Sequence, residues 1–419
     1  MQWIYAFVFH YPLFMAWTQI FGTLVYHFIR EKKSSDIESL THFPLISLII
    51  PCHNEEHCIS ETIDFLKQLD YPNYEIIAVN DASTDKTLEI LRDSQKTNPN
   101  LRIVTMSSNQ GKGTGLTVGT IAAKGEYIIT IDADALLDPK AAKYFMWHFT
   151  QSPRVGAATG NPRVRNRTSI IAKIQVGEFS SIVGMIKRTQ RILGKIFTVS
   201  GVVAAFRKRA LLNVEFWSND MVTEDIDISW KLQTKFWEIR YEPRALCWIL
   251  MPETLKGLWR QRFRWSQGGS EVLKKFGPIM LSWKQRRIWP IYIEYLISVL
   301  WAYFFTFTIA IYVVGQFIDL PPTLVVRSIT PGWTGLILGF VCIFQIAVGL
   351  IIESRFEPKI YTLFFWIIWY PLIYWVINAA VTIFAFPKGI LKKKGILAIW
   401  ESPDRGLLLV GVIIGMLKF

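Results

Sequence analysis

The chain has 419 residues, room for two or three domains, and 51% of it is apolar, with 17 Trp. Its formal charge is +13, but the basic residues cluster beside apolar helical segments, which suits an anionic cytoplasmic leaflet and argues against a nucleic-acid binder. The four Cys, at 52, 58, 247 and 342, imply no disulfide framework.

Residues 3–29 are almost uncharged and exceed the ~20 residues that a helix needs to cross a ~30 Å core. Arg30, Lys32 and Lys33 follow at once, so the C-terminal side of this segment is expected to face the cytoplasm. A cleaved signal peptide is not expected: basic residues do not precede the apolar run, and no small-x-small site follows it.

From Pro44 the pattern changes to short apolar strands separated by helices. Strands are predicted over 45–50, 74–79, 101–106 and 126–131, and helices follow each of the first three. Asp138-Pro139 is expected to cap and open a further helix. Such runs indicate an α/β domain with a mostly parallel sheet covered on both faces. Ligands of such sheets bind outside the carboxyl ends of the strands. Asn54, Glu55, Asp81, Asp132 and Asp134 all fall at such ends. Cys52, His53, His57 and Cys58 are read as a turn with incidental histidines rather than a zinc cluster.

Residues 160–200 and about 254–276 are basic and amphipathic and are expected on the membrane surface. The cationic groups meant for that surface are Lys187-Arg188-Arg191, Arg207-Lys208-Arg209, Arg260-Arg262-Arg264, Lys284-Arg286-Arg287 and Lys392-Lys393-Lys394. Three apolar segments follow, at 289–317, 333–352 and 361–386, the last kinked or re-entrant at Pro371. Four crossings would put Lys392 to Lys394 outside, against the positive-inside rule, and the 406–417 run is short for a span. The expected division is a membrane helix (1–30), a cytoplasmic catalytic domain (44–250), interfacial helices (251–288), a membrane region (289–386) and a basic, apolar tail (387–419).

Four short stretches carry candidate chemistry. Asp132-Ala133-Asp134 can place carboxylates on a hard divalent cation such as Mg²⁺ or Mn²⁺, whose shell keeps water and phosphate oxygens. Asp81, with Asn54 and Glu55, can bond the base or ribose of a nucleotide, and Lys112, in a Gly-flanked loop, can reach base or phosphate. Thr223-Glu224-Asp225 opens a helix and offers a proton acceptor; Glu224, Asp225 and Asp227 compete for that role on spacing alone. Gln261-Arg262-Phe263-Arg264-Trp265 offers a cation for phosphate and an indole face for a sugar.

In this order the four stretches resemble the family 2 processive glycosyltransferases, whose D, DxD, TED and Q(Q/R)xRW pattern matches Asp81, Asp132-Ala133-Asp134, Thr223-Glu224-Asp225 and Gln261 to Trp265. Within them the chain is similar to the bacterial poly-β-1,6-N-acetylglucosamine synthases of biofilm matrix, through Thr159-Gly160-Asn161-Pro162-Arg163, the 194–201, 220–231, 241–248 and 251–259 stretches, and the 400–406 motif. The resemblance implies a GT-A catalytic domain in the bacterial cell membrane, UDP-N-acetylglucosamine as donor, and a β-1,6-linked polymer exported as exopolysaccharide. It implies that Asp81 contacts uridine, that Asp132 and Asp134 serve the metal and diphosphate, and that Asp225 is the base. Glu224, Gln261, Arg264 and Trp265 then hold pyrophosphate and acceptor, and a small membrane subunit accompanies the chain. Hyaluronan-, chitin- or cellulose-type synthesis, or transfer of one sugar to a lipid, are the alternatives.

Overall fold

The computed structural model describes residues 2–31, 37–326, 333–393 and 395–398. The expectations placed on Lys32, Lys33, Lys394, the 400–406 motif and the 406–417 run lie outside these residues.

Helix α1 (Gln2–Tyr26) carries no charged residue, and its 25 residues reach about 37 Å at 1.5 Å per residue. The chain then alternates strands and helices: β1 (Ile46–Cys52), α2 (Ile59–Leu66), β2 (Tyr74–Asp81), α3 (Thr87–Thr97), β3 (Leu101–Met106), α4 (Lys112–Ala122), β4 (Tyr127–Ile131), β5 (Leu136–Leu137) and α5 (Ala141–Gln151). Next come β6 (Val155–Val164), α6 (Ile170–Gly177), a π-helical turn (Glu178–Val183), α7 (Gly184–Ile192), β7 (Val203–Arg207), α8 (Lys208–Asn213), α9 (Glu224–Thr234) and β8 (Glu238–Ile249). The last helices are α10 (Leu255–Met280), α11 (Trp289–Val314), α12 (Trp333–Glu353), α13 (Phe364–Ile367) and α14 (Tyr370–Leu391).

All eight strands form one sheet in the order β3-β2-β1-β4-β7-β6-β8-β5. The first four are mutually parallel, β7 runs against both its neighbours, and β6 and β8 are parallel. The apolar run of β1 has a direct cause. Leu48 and Ile50 enter the core under α2 and α5, while Ile49 faces the opposite core under α4, α8 and α9. Successive strand side chains point to opposite faces, and here both faces are covered. The first core continues into the membrane-side helices through Ile346, Leu350 and Tyr374.

Several expectations are corrected. Asp138 and Pro139 form a turn, with Asp138 Oδ1 accepting from Lys140 N–H, and α5 starts two residues after Pro139. Residues 160–164, expected on the membrane surface, belong to the fully buried strand β6. Lys187, Arg188 and Arg207 are buried rather than turned to a leaflet. Arg188 joins Glu31 to Glu353, and Arg207 lies over the Tyr127 and Phe149 rings. A cation with an internal carboxylate or ring partner has no need of a headgroup.

Three helical stretches are long and apolar enough to cross a membrane: Trp289–Val314, Trp333–Glu353 and Ile373–Leu391. The Trp, Tyr, His and Gln content of α1 makes it less apolar than these. Pro371 opens α14, where a missing N–H costs nothing, instead of kinking it. Both ends of α14 touch the sheet-bearing unit and α10. Tyr370 Oη lies 3.4 Å from Glu178 Oε1, and Lys392 Nζ donates to Asp220 O at 2.5 Å and to Glu271 Oε2 at 3.2 Å.

Candidate active site

The site is assembled where β4 ends. In the turn just beyond it, Ala133 and Ala135 enter the core, while Asp132 and Asp134 line a cavity of about 450 Å³. Thr62 Oγ1 bonds Ala133 O at 2.8 Å and fixes this strand end to α2. Burial raises the pKa of Asp132; Lys112 opposes the rise, while Asp134 and Glu224 add to it.

Lys112 reaches the same cavity from the start of α4. Its Nζ lies 2.7 Å from Asp132 Oδ1, 2.9 Å from Glu224 Oε1 and 3.3 Å from Gly201 O. Despite burial, the two carboxylates push the ammonium pKa up. The loop before it is held by Asp81, whose two oxygens accept from Gln110 N–H and Gly111 N–H, both at 2.8 Å. Gly111 stands at φ 84°, which favours glycine.

Asp81 is 0% exposed and lies outside the cavity lining, and its carboxylate holds the loop that carries Lys112. Asn54 and Glu55 are likewise outside the lining. Asn54 Oδ1 accepts from Thr84 N–H at 2.8 Å, and Glu55 N–H donates to Thr87 Oγ1 at 2.7 Å. His53 Nδ1 is 2.7 Å from Asp81 O, so this turn ties β1 to β2.

The three acids that open α9 separate cleanly. Glu224 is bound to Lys112. Asp227 is buried and paired with Lys275 of α10 at 2.5 Å. Asp225 accepts backbone hydrogen bonds, from Gly201 N–H at 3.2 Å and Ile226 N–H at 2.9 Å, and lines the cavity. Burial, reinforced by the Glu224 charge, raises its pKa to about 6. That is the environment of a proton acceptor poised near neutrality.

The basic–aromatic element lies on α10, whose N-cap Thr254 accepts from Gly257 N–H at 3.0 Å. Gln261, Arg264 and Trp265 line the cavity. The Arg264 charge acts on both Glu224 and Asp225. Arg262 plays a different part: it forms a forked ion pair with Glu178, and its guanidinium lies 4.4 Å from the centre of the Trp265 ring. The indole is thus clamped from one side.

Residues that motif reasoning missed complete the lining. Lys187 donates to Thr159 Oγ1 at 3.0 Å; burial lowers its pKa to about 7, opposed by the Asp225 charge. Tyr295 and Ser298 of α11, with Asn378 and Thr382 of α14, carry the cavity into the apolar helices. Gly268 and Gly269 let α10 pack closely: a Cβ on Gly268 would lie 2.0 Å from Thr223 Oγ1, and one on Gly269 2.1 Å from Tyr295 Oη. The signal was a glycine pair inside a helix, which costs stability unless close approach repays it.

Asp132 and Asp134 supply hard oxygen donors that fit a divalent cation sharing a diphosphate. The described residues gather no group of three or more His, Cys, Asp or Glu for an all-protein metal cage.

The model of the family Glycosyl transferase family 2 matches residues 47–214. The poly-beta-1,6-N-acetyl-D-glucosamine synthase of Staphylococcus epidermidis (strain ATCC 35984) is 42% identical over 409 residues, covering 96% of this chain and 98% of its own. That of Staphylococcus aureus (strain COL) is 39% identical over 410 residues, with coverage of 96% and 98%. Among solved structures, the mannosyltransferase PcManGT from Pyrobaculum calidifontis, in complex with GDP-Man and Mn²⁺, shares the fold with a TM-score of 0.65 and 21% identity over 93% of this chain and 98% of its own. With relatives this similar along nearly their whole length, the chain belongs to glycosyl transferase family 2, as a homologue of the poly-β-1,6-N-acetyl-D-glucosamine synthases.

Proposed function

We propose that this chain polymerises N-acetylglucosamine from UDP-N-acetylglucosamine into a β-1,6-linked chain and passes the product among its membrane helices. One observation carries the reading: Asp132 and Asp134, Glu224 and Asp225, the arginine–tryptophan element and polar side chains of α11 and α14 share a single cavity. The linkage and donor follow from the 42% identical synthase.

Asp225 takes the proton of the acceptor hydroxyl as its oxygen attacks the anomeric carbon. One displacement then inverts α to β, and no covalent sugar intermediate is needed. Arg264 faces the departing diphosphate and offsets its growing charge. Trp265, held by Arg262, offers its free face to the acceptor sugar, and Gln261 fixes that sugar laterally. Asp132 and Asp134 would hold a divalent cation, Mg²⁺ or Mn²⁺, which would supply counter-charge for the diphosphate. Lys187 favours the ionised form of Asp225.

Crossings by α1, α11 and α12 leave the sheet domain and Lys392 on the cytoplasmic side, with α14 lying against α10 at the interface. The two contacts of Lys392 with Asp220 and Glu271 support this arrangement, which also removes the conflict with the positive-inside rule. A small membrane subunit is carried over from the family resemblance.

The test is incubation of membranes carrying the chain with labelled UDP-N-acetylglucosamine, followed by sizing and linkage analysis. Long β-1,6-linked products are expected. A single sugar on lipid overturns polymerisation, and another linkage overturns the product assignment.

A further inference from the structure

A second and larger cavity, about 1060 Å³, lies away from the reacting groups. It is bounded by β8 on one side and by the membrane-proximal ends of α1, α7, α11 and α12 on the other. Its charge is one-sided. Arg355 is paired with Glu31, Arg244 with Glu242 and Arg240 with Glu238. Arg30, Arg154, Arg191, Lys195, Lys284 and Arg287 line it with no carboxylate in ion-pair contact among the described residues, although the Glu238 charge acts on Arg191 and Lys195. Crowding shows in their chemistry: burial, then the charges of Arg287 and Arg191, lowers the Lys195 pKa to about 8. The same cavity carries an apolar rim, with Ile29, Leu193 and Phe236 each more than half exposed.

We infer that this groove binds the headgroup of an anionic phospholipid, with its acyl chains leaving past Ile29 and Leu193. Six cations without an ion-paired carboxylate among the described residues call for a multivalent or repeated anion. A free phosphate compound would satisfy the charge but gives no reason for an apolar rim at the helix ends. A lipid uses both features, and the groove stands where the ends of α1, α11 and α12 meet the interface. Occupancy would tie those three helix ends to β8, the strand that flanks β6 and β5 in the sheet.

The test uses the purified full chain in neutral, delipidating detergent. Its thermal unfolding is followed with added short-chain phosphatidylglycerol, short-chain phosphatidylcholine or glycerol phosphate. Phosphatidylglycerol alone is expected to raise the midpoint by about 2–4 °C. Arg191→Gln, Lys195→Gln and Arg287→Gln combined should remove the rise, and Arg191→Lys with Arg287→Lys should retain it. If the triple variant does not fold, Arg287→Gln alone, at an exposed position, should reduce the rise. An equal rise with glycerol phosphate assigns the groove to a free anion and overturns the lipid. An equal rise with phosphatidylcholine, no rise at all, or a rise kept in the Gln variants also overturns the proposal.

Discussion

Lys112 Nζ sits 2.7 Å from Asp132 Oδ1, and the same ammonium reaches Glu224 Oε1 at 2.9 Å. One cation thus links the strand-end acids to the α9 acids. Its own position depends on Asp81, which grips the amides of Gln110 and Gly111 just before it. The first acid of the motif series is therefore tied to the second and third through one loop.

Removing that cation should be costly in two ways. Lys112→Met leaves the buried Glu224 and the partly exposed Asp132 carboxylates without their cation, which should destabilise by roughly 1–3 kcal/mol. Transfer should fall with it. Lys112→Met combined with Glu224→Gln should recover much of the stability but not the activity. Thermal unfolding and sugar-transfer assays on the single and double variants check this. Equal stability of Lys112→Met and the parent would dissolve the proposed link.

Asp225→Asn separates catalysis from folding. Loss of a general base lowers turnover by roughly 10²–10⁴-fold. The sign of the stability effect is opposite. The folded pKa of about 6 is above the ordinary 3.8, so the native state binds the extra proton between these values. Stability from this group is full below about pH 4 and is lost as pH rises through 6. At pH 7 the variant should be more stable by on the order of 1–3 kcal/mol. In the parent, transfer should rise with pH through about 6 and then level off, and a pH–rate profile with unfolding curves reads both effects. Unchanged polymer formation in Asp225→Asn would remove it from the role of base.

Chelation should abolish transfer, and added Mg²⁺ or Mn²⁺ should restore it, because the diphosphate would lose the counter-charge of a cation shared with the two carboxylates. Asp134→Ala should be inactive at any metal concentration tested while the chain still folds. Full activity in EDTA would take the metal away from both Asp132 and Asp134.

The parallel half of the sheet was legible because each strand is buried on both faces and so reads as an unbroken apolar run, as in β1 and β4. The site acids were legible because strand ends and helix starts advertise them. What failed has a common cause. Lys187, Arg188, Arg207 and Arg262 looked like surface charge, yet each has internal partners far away in sequence, such as Arg188 with Glu353. Charge patterns report composition along one element, whereas pairing is decided between elements. The loop contact of Asp81 was hidden for the same reason: its position at a strand end was legible, but not the backbone N–H groups 29 and 30 residues away that its carboxylate accepts from. The groove across α11 and α14 had no motif at all, since Tyr295, Ser298, Asn378 and Thr382 are ordinary polar residues until the helices converge.

Gly268 gives a test of that convergence which touches no reacting group. A methyl group there would sit 2.0 Å from Thr223 Oγ1 and 2.4 Å from Thr223 Cγ2, so α10 must retreat from the start of α9. Arg264 and Trp265 ride on α10 and would retreat with it. Gly268→Ala should therefore cut both elongation and donor hydrolysis, by roughly 10²-fold for a displacement near 1 Å, although Ala is the better helix former by about 1 kcal/mol. Thr223→Gly in the same chain should restore part of the loss by reopening the space. Trp265→Ala supplies the contrast, because it removes an acceptor surface and leaves the acids in place: elongation should drop well below donor hydrolysis. Chain-length analysis beside UDP release distinguishes the two patterns. If Gly268→Ala keeps full activity, the close contact of α10 with Thr223 is not what aligns the site.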